Sequence, residues 1–167
     1  MAGILAAWQA EQPDLDVSPV AIFGRVSRIE RYKAAALREV FRRHQLDAGE
    51  YDVLAALRRS GPDCRLTPTE LYRSVLVTSA TMTERLDRLQ RRDLITRRPA
   101  ERDRRSVLVE LTQAGRAVID RAIADLLAAE AALLEGLSPA DQHALARLLG
   151  KLAAQLEQEP DGTATSA

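Results

Sequence analysis

Hydrophobic residues recur at intervals of three or four along most of this chain, a spacing that predicts amphipathic helices. The predicted helices cover residues 2–11, 18–44, 47–59, 113–135 and 138–158. In the second of these helices, Ser18 is expected to act as the cap and Pro19 to take the first helical position. The terminal helices carry broad stripes of leucine and alanine, so we expect them to bury apolar surface against a partner.

The central stretch, residues 66–112, opens with a helical pattern that carries its own start signal. Thr67 and Glu70 form a capping-box pattern, and Pro68 suits the first helical position. We expect this short helix to end near Ser74. A turn then leads into the next helical pattern.

A second helix of the central stretch is predicted over about residues 79–92, with Thr78 or Ser79 as its cap. Its apolar residues are spaced by three and four and would therefore face inward. They are Met82, Leu86 and Leu89. The opposite face is expected to carry hydroxyls and arginines, namely Ser79, Thr81, Arg85 and Arg88.

Two β-prone runs at 94–98 and 107–111 follow this helix and predict a hairpin, the wing, over about residues 94–111. The segment 99–105 between them is too polar to bury. Residues 64–66 are expected to add a third short strand. The predicted fold is mainly α with a small β wing, a winged helix-turn-helix flanked by long N- and C-terminal dimerisation helices.

These patterns divide the chain into four segments. They are N-terminal helices over 1–46, a winged helix-turn-helix lobe over 47–112, C-terminal helices over 113–158, and a tail over 159–167. The tail is small and polar and is expected to be disordered. Packing within one monomer is an alternative for the terminal helices. A homodimer, however, would let two reading helices meet successive major grooves of a palindrome.

The net charge of zero hides a basic region. Residues 73–105 carry ten arginines and five acidic residues, a net charge of +5, whereas residues 113–159 have a net charge of −3. A basic helix with hydroxyls can enter a major groove, and wing arginines can reach a minor groove, although a solvated surface is the simpler alternative. Candidate DNA contacts are Thr67, Thr69, Thr78, Ser79, Thr81, Thr83, Arg85, Arg88, Asp103, Arg104 and Arg105.

Three stretches together resemble the MarR family of bacterial regulators. They read LTPTEL, TSATMTERLDRLQRRDLI and RRPAERDRRSVLVELTQAGR, and they include the wing motif Asp103-Arg104-Arg105 and Gly115. The resemblance implies that Asp103 steadies the wing while Arg104 and Arg105 enter the minor groove. It also implies a homodimer that binds double-stranded DNA, most often as a repressor. Asp93 departs from the pattern, because many members have glycine at that helix end.

The N-terminal pattern, from Trp8 through Ser18-Pro19 to Gly24-Arg25, resembles the urate-responsive branch of this family, which has an added N-terminal helix. That resemblance implies a site for a small anion such as urate at Trp8, Asp52, Arg59 and Arg97, whose occupation releases the DNA. From their spacing alone, Asp52 and Arg59 read as surface residues two turns apart. Another small carboxylate or phenolic effector is an alternative.

The sequence offers little for catalysis. It contains no glycine-rich phosphate loop, metal-ligand cluster or nucleophile–base pair, so we expect neither an enzyme nor a metal or cofactor. His44 and His143 are isolated and are expected at the surface. Cys64 is the single cysteine, which excludes an intramolecular disulfide and suits a reducing cytosol. Redox sensing through Cys64 is the remaining alternative.

Overall fold

The computed structural model describes residues 2–75, 79–99 and 107–158, and within these ranges the fold is mainly α with a small antiparallel sheet, as predicted. The helices are α1 (Ala2–Glu11), α2 (Ser18–Arg43), α3 (Ala48–Arg59), α4 (Pro68–Val75), α5 (Ser79–Arg91), α6 (Gln113–Leu134) and α7 (Pro139–Gln158). The strands are β1 (Arg65–Leu66), β2 (Ile95–Pro99) and β3 (Val107–Leu111). The predictions made for residues 78, 100–106 and 159–167 concern positions outside the described ranges.

Two of the predicted helix starts are confirmed as capping boxes. At α3 the Glu50 N–H donates to the Asp47 carboxylate at 2.7 Å, and the Asp47 N–H donates back to Glu50 at 3.1 Å. At α4 the Thr67 N–H donates to Glu70 at 2.7 Å, and the Glu70 N–H donates to the Thr67 hydroxyl at 3.3 Å. These reciprocal bonds satisfy N–H groups that lack a partner within the helix.

The predicted cap of α2 was wrong. Val17 occupies the N-cap position, without a side-chain hydrogen bond, and Ser18 already belongs to the helix. Asp16 accepts instead, from the Ser18 N–H at 2.9 Å and from the Ser18 hydroxyl at 3.1 Å. These bonds lower the pKa of the Asp16 carboxyl, because they favour its charged form. Asp16 therefore accepts from the first N–H of the helix, and the Ser18 hydroxyl donates to Asp16 instead of accepting from the helix.

The core surrounds α3 and the three-stranded sheet, whose strand order is β1-β3-β2. The inward positions predicted for α5 are confirmed, since Met82, Leu86 and Leu89 are all buried. Other members of the same cluster come from α3, α4, β2 and β3 of the lobe and from α6. They include Val53, Leu54, Leu57, Leu71, Ile95, Val109, Ile119 and Ala122. This packing places the apolar face of α5 against α3 and the sheet. The apolar contacts do not use the other faces of α5.

A tight junction joins the end of α5, the start of β2 and the start of α6. Asp93 takes a left-handed backbone with φ of 54°, the conformation that glycine adopts most easily at a helix end. The Thr112 hydroxyl donates to the Asp93 carbonyl at 2.6 Å and accepts from the Gly115 N–H at 2.9 Å. A Cβ atom at position 115 would overlap the Leu94 carbonyl oxygen. Only glycine lets α6 approach the chain this closely.

The chain forms two compact units, Met1–Ala129 and Glu130–Ala167. In the first, α2 exposes large apolar residues, namely Val20, Ile22, Phe23, Val26 and Ile29. In the second, α7 exposes Leu145, Leu148, Leu149 and Leu156. Within the described ranges, no helix has the length and apolar character needed to cross a membrane. The division into four segments stays a prediction.

Candidate functional site

The predicted DNA contacts begin at α4 and the first half of α5. Thr69 and Thr83 are exposed, and Thr67 and Thr81 are half-buried. Three further candidates lie in the wing, Asp103, Arg104 and Arg105, and together with Thr78 and the side chain of Ser79 they fall outside the described parts of the structure. The second half of α5 exposes a different chemistry, with Glu84, Asp87, Gln90 and Arg91. A hydroxyl-bearing N-terminal half is therefore the part of α5 suited to a polyanion.

Arg85 and Arg88 do not lie on an open face opposite the buried stripe, and that placement was wrong. Both flank the stripe and turn toward the start of α3. The guanidinium of Arg85 packs against Gly49, where a Cβ atom would overlap it. Its buried Nη1 atom has no hydrogen-bond partner among the described residues. Direct contact of Arg85 or Arg88 with DNA stays a prediction.

Arg88 belongs to an ion-pair cluster between α3 and α5, which we call the α3–α5 cluster: Asp47, Glu50, Arg88 and Arg92. Arg88 donates to Glu50 at 3.2 Å and to Asp47 at 3.0 Å, and Arg92 donates to Glu50 at 3.0 Å. Arg88 also contacts Glu84 on its own helix at 3.0 Å. The cluster ties the end of α5 to the start of α3.

Two of the four predicted ligand residues, Asp52 and Arg59, share α3, and Asp52 also feels the charge of Arg85, which the sequence indicated only as a DNA contact. Asp52 keeps an exposed surface, yet partial burial raises the pKa of its carboxyl, and the charges of Arg85 and Arg59 oppose that rise. Arg59 also donates weakly to the Ser74 carbonyl at 3.4 Å. The two arginines come from different helices, so the spacing along α3 alone could not reveal Arg85.

The other two predicted ligand residues are Trp8 and Arg97. Trp8 is 46% exposed on α1, and none of the described hydrogen bonds or ion pairs joins it to Asp52, Arg59 or Arg97. Arg97 instead pairs with Asp87 on α5 at 2.6 Å. The four-residue ligand site stays a prediction.

Arg97 also lines a cavity of about 180 Å³ between α4, α5 and the wing strands. Most of its walls are apolar, with Pro68, Tyr72, Thr83, Met82, Leu86 and Val107 completing the lining. Two lining residues have buried polar atoms without a partner among the described residues, the Tyr72 hydroxyl and Arg97 Nε. A cavity of roughly 150 Å³ can hold a benzene ring, so this one has the volume for a single-ring molecule.

Cys64 is fully buried, with a left-handed backbone at φ of 50°. Its thiol points to the carbonyl oxygens of Gly61 at 3.3 Å and Arg58 at 3.8 Å. The Arg58 side chain also interacts with Cys64, but burial keeps oxidants away from the thiol, and oxidants attack the exposed thiolate. This placement disfavours the redox alternative.

We therefore expect Cys64 in the native protein to resist a thiol reagent over the time in which the denatured protein reacts completely. Peroxide treatment should leave DNA affinity unchanged. The measurement is a timed thiol titration in buffer and in denaturant, paired with a DNA titration after peroxide. Rapid native reaction together with a loss of DNA affinity would restore redox sensing.

Comparison with known proteins agrees with this architecture. A model of the MarR family matches residues 44–106. The chain is 37% identical over 149 residues to the HTH-type transcriptional regulator PecS of Dickeya dadantii, covering 89% of this chain and 90% of PecS. It resembles the structure of BpsR from Bordetella bronchiseptica, with a TM-score of 0.66 and 26% identity over 79% of this chain and 92% of BpsR. The DNA binding of BpsR is regulated by 6-hydroxynicotinic acid. It also resembles a mutant MarR from E. coli complexed with operator DNA, with a TM-score of 0.67 and 25% identity over 82% of this chain and 95% of that one.

Proposed function

Because this chain belongs to the MarR family of DNA-binding transcriptional regulators, and is not an enzyme, we propose that it is a cytosolic homodimeric repressor released from its operator by a small aromatic anion. The observation that carries the effector proposal is the geometry of α3, where Asp52 and Arg59 are seven residues apart and Arg85 of α5 packs against Gly49, three residues before Asp52. A site that includes the recognition helix can couple ligand binding to DNA binding directly.

The DNA contacts we propose are the hydroxyls at the start of α4 and in the first half of α5, together with the wing motif. They comprise Thr67, Thr69, Thr78, Ser79, Thr81, Thr83, Asp103, Arg104 and Arg105. A helix N-terminus attracts phosphate through its free N–H groups, and hydroxyls can bond to bases or phosphates. Glu84 and Asp87, farther along α5, would repel phosphates, which supports entry by the N-terminal half.

The homodimer proposal is supported by the apolar faces that the terminal helices leave exposed. On α2, Ile22 is 55% and Ile29 is 59% exposed, and on α7, Leu148 is 55% and Leu156 is 56% exposed. Contiguous apolar surface of this kind marks interaction sites in soluble proteins. A second copy of the chain would cover these faces and present two α5 helices to a palindromic operator.

Urate is the first effector we propose. It is a planar anion, and arginine guanidinium groups bind such anions through paired, charge-assisted hydrogen bonds. An anion between Arg59 and Arg85 would compete with the Asp52 carboxylate, whose charged form burial already disfavours. Movement of Arg85 would then shift α5 relative to α3. Trp8 and Arg97 would complete the site, as the resemblance to the urate-responsive branch implies.

A second effector class is favoured by the cavity at Arg97. The Tyr72 hydroxyl and Arg97 Nε have no partner among the described residues, and a small turn of either side chain toward the cavity would let it bind the hydroxyl or carboxylate of a small hydroxy-aromatic acid. The similarity to BpsR, whose structure concerns regulation by 6-hydroxynicotinic acid, supports this class. In both proposals the ligand must bind the DNA-free state more tightly, and couplings of about 1–3 kcal/mol are typical.

The test is a fluorescence-anisotropy titration on the DNA upstream of the protein's own gene, with and without urate. We expect tight binding that weakens as salt rises and that urate relieves by about fivefold to 150-fold, the range of typical couplings. A neutral purine is the matched control and should change nothing. Relief by a hydroxy-aromatic acid alone would transfer the effector to the second class. No binding at low salt would contradict the operator proposal.

A further inference from the structure

Glu50 is a buried carboxylate whose two oxygens are both committed. The residue is only 5% exposed. Its Oε1 accepts from Arg88 Nε at 3.2 Å, and its Oε2 accepts from Arg92 Nη1 at 3.0 Å and from the Asp47 N–H at 3.1 Å. Both arginines belong to the C-terminal end of the recognition helix or directly follow it. Glu50 therefore holds two cations of the DNA-binding lobe at the start of α3.

A carboxylate in this position needs those arginines. Removing a charged group from water is costly, and a buried ion pair gives little net stability compared with apolar packing. Its geometry, however, is directional, because the arginines must meet the carboxylate oxygens at hydrogen-bond distance. The Asp47 carboxylate also accepts from Arg88 Nη2 at 3.0 Å, so Arg88 is held by two carboxylates at the start of α3. Four hydrogen-bonded groups from two helices thus orient α5 more narrowly than apolar contacts would.

The same contacts occupy Arg88 and Arg92. Their side chains are 32% and 34% exposed, so neither is sealed from solvent. A freed arginine on a DNA-binding lobe would contact phosphates, and such contacts add affinity for every sequence alike. Pairing with Glu50 prevents this while it holds the helix in place.

We propose that Glu50 is a positioning residue for specificity: it withholds Arg88 and Arg92 from phosphates and sets how α5 meets the operator. This inference rests on the proposed role of α5 as the recognition helix. Glu50 is only 5% exposed, so it acts through the arginines that it holds and needs no contact of its own with DNA. Glu50 should therefore raise the ratio of the affinity for operator DNA to the affinity for unrelated DNA.

The test compares Glu50→Gln with Glu39→Gln. Glutamine keeps the size of the side chain and an oxygen for the capping box, and both variants remove one negative charge. Glu39 is a matched control because it also pairs with an arginine, Arg42 at 2.6 Å, but on the exposed surface of α2. Dissociation constants for operator DNA and for an unrelated duplex are measured over a series of salt concentrations, and thermal unfolding is recorded for each variant.

For Glu50→Gln we expect tighter binding to unrelated DNA and a loss of operator preference of about fivefold or more. The salt dependence of binding to the unrelated duplex should steepen by about 0.9 in logarithmic slope for each arginine that reaches a phosphate. A structural role alone would lower the unfolding temperature without steepening this slope. Glu39→Gln should match the wild type in both respects.

A triple variant, Glu50→Gln with Arg88→Gln and Arg92→Gln, identifies the source of the change. Its salt slope should return to the wild-type value, while its operator preference stays about fivefold or more below that of Glu39→Gln. If Glu50→Gln does not fold, this variant carries the test, because it has no unpaired arginine in the cluster. Equal slopes and preferences for the Glu50 and Glu39 variants would overturn the inference. A wild-type protein that does not prefer its operator would instead overturn the proposed function on which it rests.

Discussion

Replacing Gly115 with alanine is expected to lower the free energy of unfolding by about 3 kcal/mol, the upper range for overpacking a well-packed site. The added Cβ would overlap the Leu94 carbonyl oxygen and lie 2.9 Å from the Leu94 carbonyl carbon. Both are backbone atoms, so no side-chain rotation relieves the overlap. The Leu94 carbonyl is also held in place, since it accepts from the Thr112 N–H at 3.1 Å. Relief would require separating α6 from the start of β2.

Chemical denaturation followed by circular dichroism measures this effect. Gly150→Ala is the matched control, because no atom lies within 4 Å of a Cβ built at that position in α7. Alanine favours helix over glycine, so the control should be neutral or more stable by up to about 1 kcal/mol. A Gly115→Ala protein with the wild-type midpoint would show that the junction yields easily. DNA binding by Gly115→Ala should weaken too, since β2 begins the wing at this junction.

Arg59→Ala and Arg97→Ala are expected to keep operator binding but to lose relief by urate. Hydrogen bonds to charged groups contribute about 1.5–3 kcal/mol, so each loss should raise the urate concentration for half-release by about tenfold to 150-fold. Neither arginine is among the proposed DNA contacts. The measurement is the urate titration of a preformed protein–operator complex. Unchanged relief in both variants would rule out this urate site.

The two arginines also distinguish the two effector proposals, because the structure places them in different surroundings. Arg59 lies with Asp52 and Arg85, whereas Arg97 lines the cavity with Tyr72. Tyr72→Phe removes only a hydroxyl and should matter only if the effector occupies that cavity. Arg98→Ala is the matched control, since Arg98 neighbours Arg97 on β2 but its side chain is 70% exposed. Sensitivity at Arg97 and Tyr72 without sensitivity at Arg59 would favour a hydroxy-aromatic acid.

Much of the fold was predictable because its signals are local. Apolar spacing placed Met82, Leu86 and Leu89 in the core, and the capping boxes at Asp47 and Thr67 marked the starts of α3 and α4. Each signal involves residues within one or two helical turns of each other. The MarR family was also recognisable from the order of three motifs.

The orientation of the charged residues was not predictable from the same signals. Arg85 and Arg88 read as exposed DNA contacts, but they flank the buried stripe, and α3 packs beside that flank. Arg88 and Glu50 are 38 positions apart in the chain, and no periodicity connects them. The interaction of Asp52 with Arg85 and the cavity at Arg97 were not predictable for the same reason, because each involves residues that are distant in the sequence.

The sequence by itself therefore determined the helices, the wing, the basic character of the lobe and the family. Only the tertiary structure decided which arginines are held by carboxylates and which cavity Arg97 lines. The physical reason is the separation along the chain between the residues that interact. Hydrogen bonds that begin a helix and apolar spacing depend on neighbours a few residues away. Ion pairs and cavities between helices depend on how distant segments pack, because a guanidinium has many rotamers and settles where an oxygen partner is presented.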